Sequence, residues 1–193
     1  MKLNVLGIGL ALLAATAASA PARAAGLQVV YYDISGRTAK DLFDQMQTKA
    51  PADRSGQRFP AYTEWRVTWN FRYESTPESC RLTELNASVE AKMTLPRWVD
   101  AGSAPASLLE EWQHYVGALR IHEDGHYAHG VEAAREVQAL EGSIPPAGDC
   151  AALTRQVTER AQAIMEKFRA LDAQYDRDTN HGQKQGAVLV IEN

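Results

Sequence analysis

His122-Glu123-Asp124-Gly125-His126 lies inside a long stretch of helical periodicity. On an α-helix, residues four apart share a face one turn from each other. Two imidazoles placed so can grip one cation, and the Glu beside the first can reach a water there. The apolar positions around the motif extend the same stripe. Leu108, Trp112, Tyr115 and Leu119 precede it, His129 follows on it, and Ala133, Val137 and Leu140 continue it. The histidines therefore prolong a buried face. Three imidazoles and a carboxylate in an apolar seam would leave unpaired polar groups unless they share a partner, and a metal ion supplies one. The stretch predicts a long helix holding Zn2+ through His122 and His126, with Glu123 as general base.

A protein zinc site that acts on water has three protein ligands and one open position. On a straight helix His129 rises about 10 Å above His122, too far to reach the same ion unless the helix bends, for which Gly130 is the place. Glu132 stands where one known zinc-protease pattern has its third ligand, but His129 replaces that pattern's glycine, so Glu132 is set aside. His181, in a turn next to Gly182, is the first choice for the third ligand. His129 is the alternative, and Asp176 and Asp178 are the carboxylate options. Tyr175 and Tyr127 are candidate donors to a transition-state oxyanion. Trp112 and His114 are expected to pack around the helix or orient a ligand.

Working outward, Ser107-x-x-Glu110 reads as a capping box opening the helix. Gly142, Pro145, Pro146 and Gly148 break the chain, and Asp149 can cap a second helix running to about Ala173 on Leu153, Val157, Ala161, Ile164, Phe168 and Leu171. Toward the N-terminus the period becomes two. Trp65, Val67, Trp69, Phe71 and Tyr73 form the aromatic face of one strand, and Leu85 to Leu95 alternate in a second, antiparallel to it. Val29 to Ile34 reads as a short strand, and Thr38 as the N-cap of a three-turn helix from Ala39. Lys49 to Pro60 reads as a loop, and Ala187 to Ile191 as a short final strand. The expected fold is α+β: a small antiparallel sheet packed against a long motif-bearing helix and a C-terminal helix.

The first residues belong to a different kind of segment. Lys2, an apolar run from Leu3 to Ala15, and small residues through Ala24 read as a secretory signal peptide over residues 1–24, leaving one domain at 25–193. That run is short for a bilayer span, and no later stretch is long and apolar enough for an integral membrane segment. The formal charge is −4, and loss of Lys2 and Arg23 makes it −6, which argues against nucleic acid as a partner. Cys80 and Cys150 are expected to pair in an oxidising compartment, with neither in a CxxC spacing.

Tyr31-Tyr32-Asp33-Ile34-Ser35-Gly36-Arg37-Thr38, Thr63-Glu64-Trp65-Arg66-Val67-Thr68-Trp69, Cys80-Arg81-Leu82, Leu95-Pro96-Arg97-Trp98, the His122–His126 motif and Asp178-Thr179-Asn180-His181-Gly182 follow one another in an order that resembles a family of predicted secreted bacterial zinc-dependent proteases, first catalogued as a domain of unknown function. The resemblance spans nearly the whole mature chain. It implies a zincin-like enzyme in the periplasm or beyond, with His122 and His126 as ligands, Glu123 as base, and a peptide or protein substrate. Two other functions fit the same residues. One is a non-catalytic module that binds metal or a partner; the other is an amidase acting on cell-wall peptides.

Overall fold

A computed structural model describes residues 24–52 and 56–191. The expected signal segment lies outside them apart from Ala24, the first residue of a strand.

Six elements build the domain: β1 (Ala24–Ile34), α1 (Ala39–Lys49), β2 (Tyr62–Ser75), β3 (Cys80–Trp98), α2 (Ala106–Ala139) and α3 (Cys150–Thr179). The three strands form one sheet in the order β1-β3-β2, so β2 is an edge strand. β2 and β3 pair antiparallel from Tyr62 opposite Thr94 to Ser75 opposite Cys80, as their alternation predicts. β1 departs from the expected antiparallel sheet: it runs parallel to β3, from Leu27 opposite Ala91 to Ile34 opposite Trp98, and the sheet is mixed. That pairing spans α1, a loop and all of β2, and alternation within a strand carries no sign of the direction of a distant neighbour.

The aromatic face of β2 is core. Trp65, Trp69 and Phe71 pack against a cluster that joins Leu85, Ala87 and Val89 of β3 to Val137 of α2 and Leu153, Val157, Ala161 and Phe168 of α3. A second cluster unites Ile34, Leu42, Met46, Met93, Leu95 and Trp98 with Trp112, Tyr115 and Leu119 of α2. Helix α2 thus contributes its C-terminal half to one core and its N-terminal half to the other, with the His-Glu-x-x-His turn between them. The opposite sheet face is solvated, and its residues pair across strands: Arg66 with Glu90, Arg72 with Glu84, Thr68 with Ser88.

Helix starts follow side-chain chemistry in two cases out of three. Thr38 and Asp41 form a full capping box on α1, and Asp149 accepts from the Ala152 amide at α3. The Ser107–Glu110 box does not form, because α2 begins two residues earlier than a Ser107 cap requires, at Ala106 behind Pro105, which puts Ser107 inside the helix. Gly130 does not bend α2; it is buried in the continuous helix, where an added Cβ would lie 2.9 Å from Trp65 Cγ. Residues 187–191 form no strand.

Cys80 and Cys150 form a disulfide that ties the start of β3 to the first residue of α3. Beside it Cys80 and Ala147 exchange both backbone hydrogen bonds. Among the described residues no helix is long and apolar enough to cross a membrane.

Candidate metal centre

The inward stripe of α3 changes character near its end. Phe168 is followed one and two turns later by Asp172 and Asp176, which face the histidines of α2. The helix runs six residues past Ala173 before Asn180 and His181 turn it at positive φ. This extension delivers the carboxylate.

Three ligand atoms converge. His122 Nε2, His126 Nε2 and Asp176 Oδ1 stand 3.1, 3.1 and 3.2 Å from one another. Ligands placed tetrahedrally about 2.0–2.1 Å from one ion lie about 3.3–3.4 Å apart, so this triangle needs only a few tenths of an ångström to accept zinc on one side. Two imidazoles and a carboxylate also suit other divalent transition metals. The rest of each ring sets its tautomer. His122 Nδ1–H donates to Gln185 Oε1 at 3.0 Å, and His126 Nδ1–H donates to Asp172 Oδ1 at 3.0 Å. With both Nδ1 atoms donating, both Nε2 atoms face the common point, and loss of the second proton from His126 frees the lone pair a cation requires.

Asp172 is a hub. Its Oδ1 also accepts from His129 Nδ1 at 2.6 Å, and its Oδ2 from Trp65 Nε1 at 2.6 Å. His126, His129 and Asp172 by themselves form a second group close enough to hold an ion. The two Nδ1 hydrogens occupy Asp172 Oδ1 and the indole N–H occupies Oδ2, so we assign this group to support of the first. Tyr175 packs among all three imidazoles, its ring parallel to His122 at 4.9 Å and edge-on to His126 and His129. Gly125 makes room for it: a Cβ there would fall 2.5 Å from the tyrosine oxygen. The glycine between the two histidines is thereby explained by packing.

Electrostatics reflect this crowding in the metal-free site. Burial works against charge on His126, yet the Asp172 and Asp176 carboxylates outweigh it and push its pKa up to about 10. Burial likewise opposes charge on Asp176, but hydrogen bonds from His122 and His126 hold its pKa far below the usual carboxylate range. Glu123 goes the other way. It is 3% exposed, and burial raises its pKa against the lowering effects of Thr63 and the two histidines. Its Oε2 is buried without a hydrogen-bond partner, as is Thr63 Oγ1 nearby.

The triangle and Glu123 open onto a cleft of about 670 Å³ between α1, the 57–63 segment, α2, α3 and the C-terminal tail. Phe43, Phe59, Leu119 and Leu189 give it an apolar wall. His181 stands at its rim, 48% exposed, with Nδ1 3.4 Å from Asp176 Oδ1 and its ring against Phe59. Asp176 takes the corner for which His181 was the first choice. His129 supports from outside, and Asp178 faces solvent with Gln174 as its partner. Tyr175 and Tyr127 do not line the cleft: the first lies beneath the rings and accepts from Gln185 Nε2, and the second packs in the core. His114 lies apart, under the Gly186 turn. Asp172 and Gln185 had no place in the sequence reading. The four-residue step from Phe168 to Asp172 to Asp176 is the signal that was available for the first.

Fold and site together define a class: an α+β domain in which two imidazoles of one long helix and a carboxylate of a second lie close enough together to hold one cation. The chain belongs to the bacterial proteins of unknown function grouped as DUF922, whose family model matches residues 29–182 and so includes every corner of the site. No curated protein and no solved structure matches the chain.

Proposed function

We propose that this protein is a zinc-dependent metallopeptidase, exported to the periplasm or beyond, that hydrolyses peptide bonds with Glu123 as general base. The observation that carries the reading is Glu123 itself: a buried carboxylate next to the first histidine of the triangle, lining the same cleft. A site that only stored metal would gain nothing from it, and burying a carboxylate is costly. Zinc held by His122, His126 and Asp176 would acidify a water and polarise the scissile carbonyl.

The chain's own groups do the rest. Glu123 takes a proton from the water and passes it to the leaving amine. The open edge of β2 runs beside the cleft, where an extended peptide can align its backbone. The disulfide supports an oxidising compartment.

The test compares wild type with Glu123→Gln, both loaded with zinc, on a casein digest and a peptide library. Cleavage by wild type alone supports the reading. Equal cleavage by both removes Glu123 from the mechanism, and cleavage by neither leaves a metal-binding module.

A further inference from the structure

Helical spacing brings one more charged residue of α3 to the cleft. Arg169, Asp172, Ala173 and Asp176 follow at steps of three and four, and all of them line it. Among the described residues Arg169 is the sole arginine or lysine that does so. It also borders an adjoining groove of about 1010 Å³ between the edge strand β2 and α3. Tyr62, Thr63, Arg169 and Asp172 line both spaces, so Arg169 stands where they join. It is exposed, and among the described residues it has no ion pair and no hydrogen bond. Asp172 and Asp176 are occupied by the imidazoles and the Trp65 indole. Arg66, the other arginine on the groove, is already paired with Glu90. A guanidinium keeps its charge at any working pH, and its planar fork matches a carboxylate.

From Arg169 to Asp176 the helix rises about 10 Å, and an extended peptide advances about 3.3 Å per residue. Resting on the peptidase reading, we infer that Arg169 determines specificity: it pairs with a substrate carboxylate about three residues from the scissile bond, so the protein favours acidic peptides. An Asp or Glu side chain supplies that carboxylate, or the free C-terminus of a short peptide does. Glu166, one turn further from Asp176, lines the groove but not the cleft. A carboxylate that overshoots Arg169 therefore meets a like charge, and the preference belongs to one position along the substrate.

The test uses the zinc-loaded protein and peptides that differ only by Glu or Gln at each position around the cleaved bond, which mass spectrometry locates. One set has both ends blocked, and a second has free C-termini at varied distances. At one position the carboxylate should raise kcat/KM about fivefold or more, mainly through KM. A preference within the blocked set assigns it to a side chain; one confined to the second set assigns it to the C-terminus. Arg169→Gln should bring the ratio to about one, and Arg169→Lys should keep part of it. Arg155→Gln removes the same charge from α3 outside cleft and groove and should leave the ratio alone. A wild type that treats all these peptides alike within about twofold overturns this inference, as does a preference that survives Arg169→Gln. A wild type that cleaves none of them overturns the peptidase reading. Fluorescence anisotropy of the same peptides then decides the role of Arg169: tighter binding of the carboxylate form, lost in Arg169→Gln, upholds it, and equal or absent binding strikes it.

Discussion

Replacing Asp172 by Asn tests how the site holds its cation. One Asp172 oxygen accepts from His126 Nδ1 at 3.0 Å and His129 Nδ1 at 2.6 Å, and the other accepts from Trp65 Nε1 at 2.6 Å. Asparagine offers one oxygen and one NH2 in nearly the same space. If the NH2 faces Trp65, two donors oppose each other and the imidazole contacts lose their charge. If it faces the imidazoles, His126 is free to move its proton to Nε2, the atom that binds metal. Hydrogen bonds to charged groups contribute about 1.5–3 kcal/mol and neutral ones about 0.5–1.5. The weakened support of His126 is then worth about 1–2 kcal/mol. Loss of such an outer partner typically weakens metal binding about 10- to 100-fold, and the zinc Kd should rise within that range. Competition against a chromophoric chelator at constant pH measures it. Asp178→Asn makes the same charge change on the exposed side of α3 and should leave affinity alone. A folded Asp172→Asn protein that binds zinc within twofold of wild type refutes the assignment of Asp172 as the group that orients His126.

Gly125→Ala should displace the Tyr175 ring, since the new Cβ would lie 2.6 Å from its Cζ; overpacking costs about 1–3 kcal/mol against a helix-propensity gain of about 1, and urea unfolding of the metal-free protein reads the difference. Zinc uptake should release about one proton, because His126 keeps its proton in the metal-free site up to a pKa of about 10, so apparent affinity should rise about tenfold per pH unit above neutrality; calorimetry in buffers of different ionisation enthalpy counts the proton, and a flat affinity between about pH 7 and 9 contradicts the site. The same groups set metal-free stability: the raised pKa of His126 stabilises fully below about pH 6.5 and is lost as pH rises through about 10, while the lowered pKa of Asp176 stabilises above about pH 4 and is lost in stronger acid, a profile that thermal melts across pH will show. Cys80→Ser with Cys150→Ser opens a loop of 70-residue separation and should destabilise by about 4 kcal/mol in the chain-entropy account, and a loss below about 1 kcal/mol would contradict it.

The sequence made the centre of the fold legible because its signals are local. A four-residue spacing puts His122 and His126 on one face, Thr38 and Asp149 satisfy nearby amides, and alternation pairs β2 with β3. What it hid depends on distant partners. The direction of β1 is fixed by β3, more than fifty residues on. The helix predicted for α3 stops at about Ala173 because Tyr175 to Gly182 is polar and does not continue the apolar stripe. Its inward positions there are carboxylates because what they face is a pair of imidazoles. Gln185 sits on a tail turn that Gly182 and Gly186 shape at positive φ, and nothing in its neighbours reveals that its amide reaches His122.

That tail gives the chain a built-in order of competence. Synthesis delivers the two imidazoles first, the third donor fifty residues later, and the amide that steadies His122 only at Gln185. A nascent polypeptide therefore brings the donors together only when almost everything from β1 onward has emerged. On the proposed reading, metal loading would then follow synthesis of the last donor.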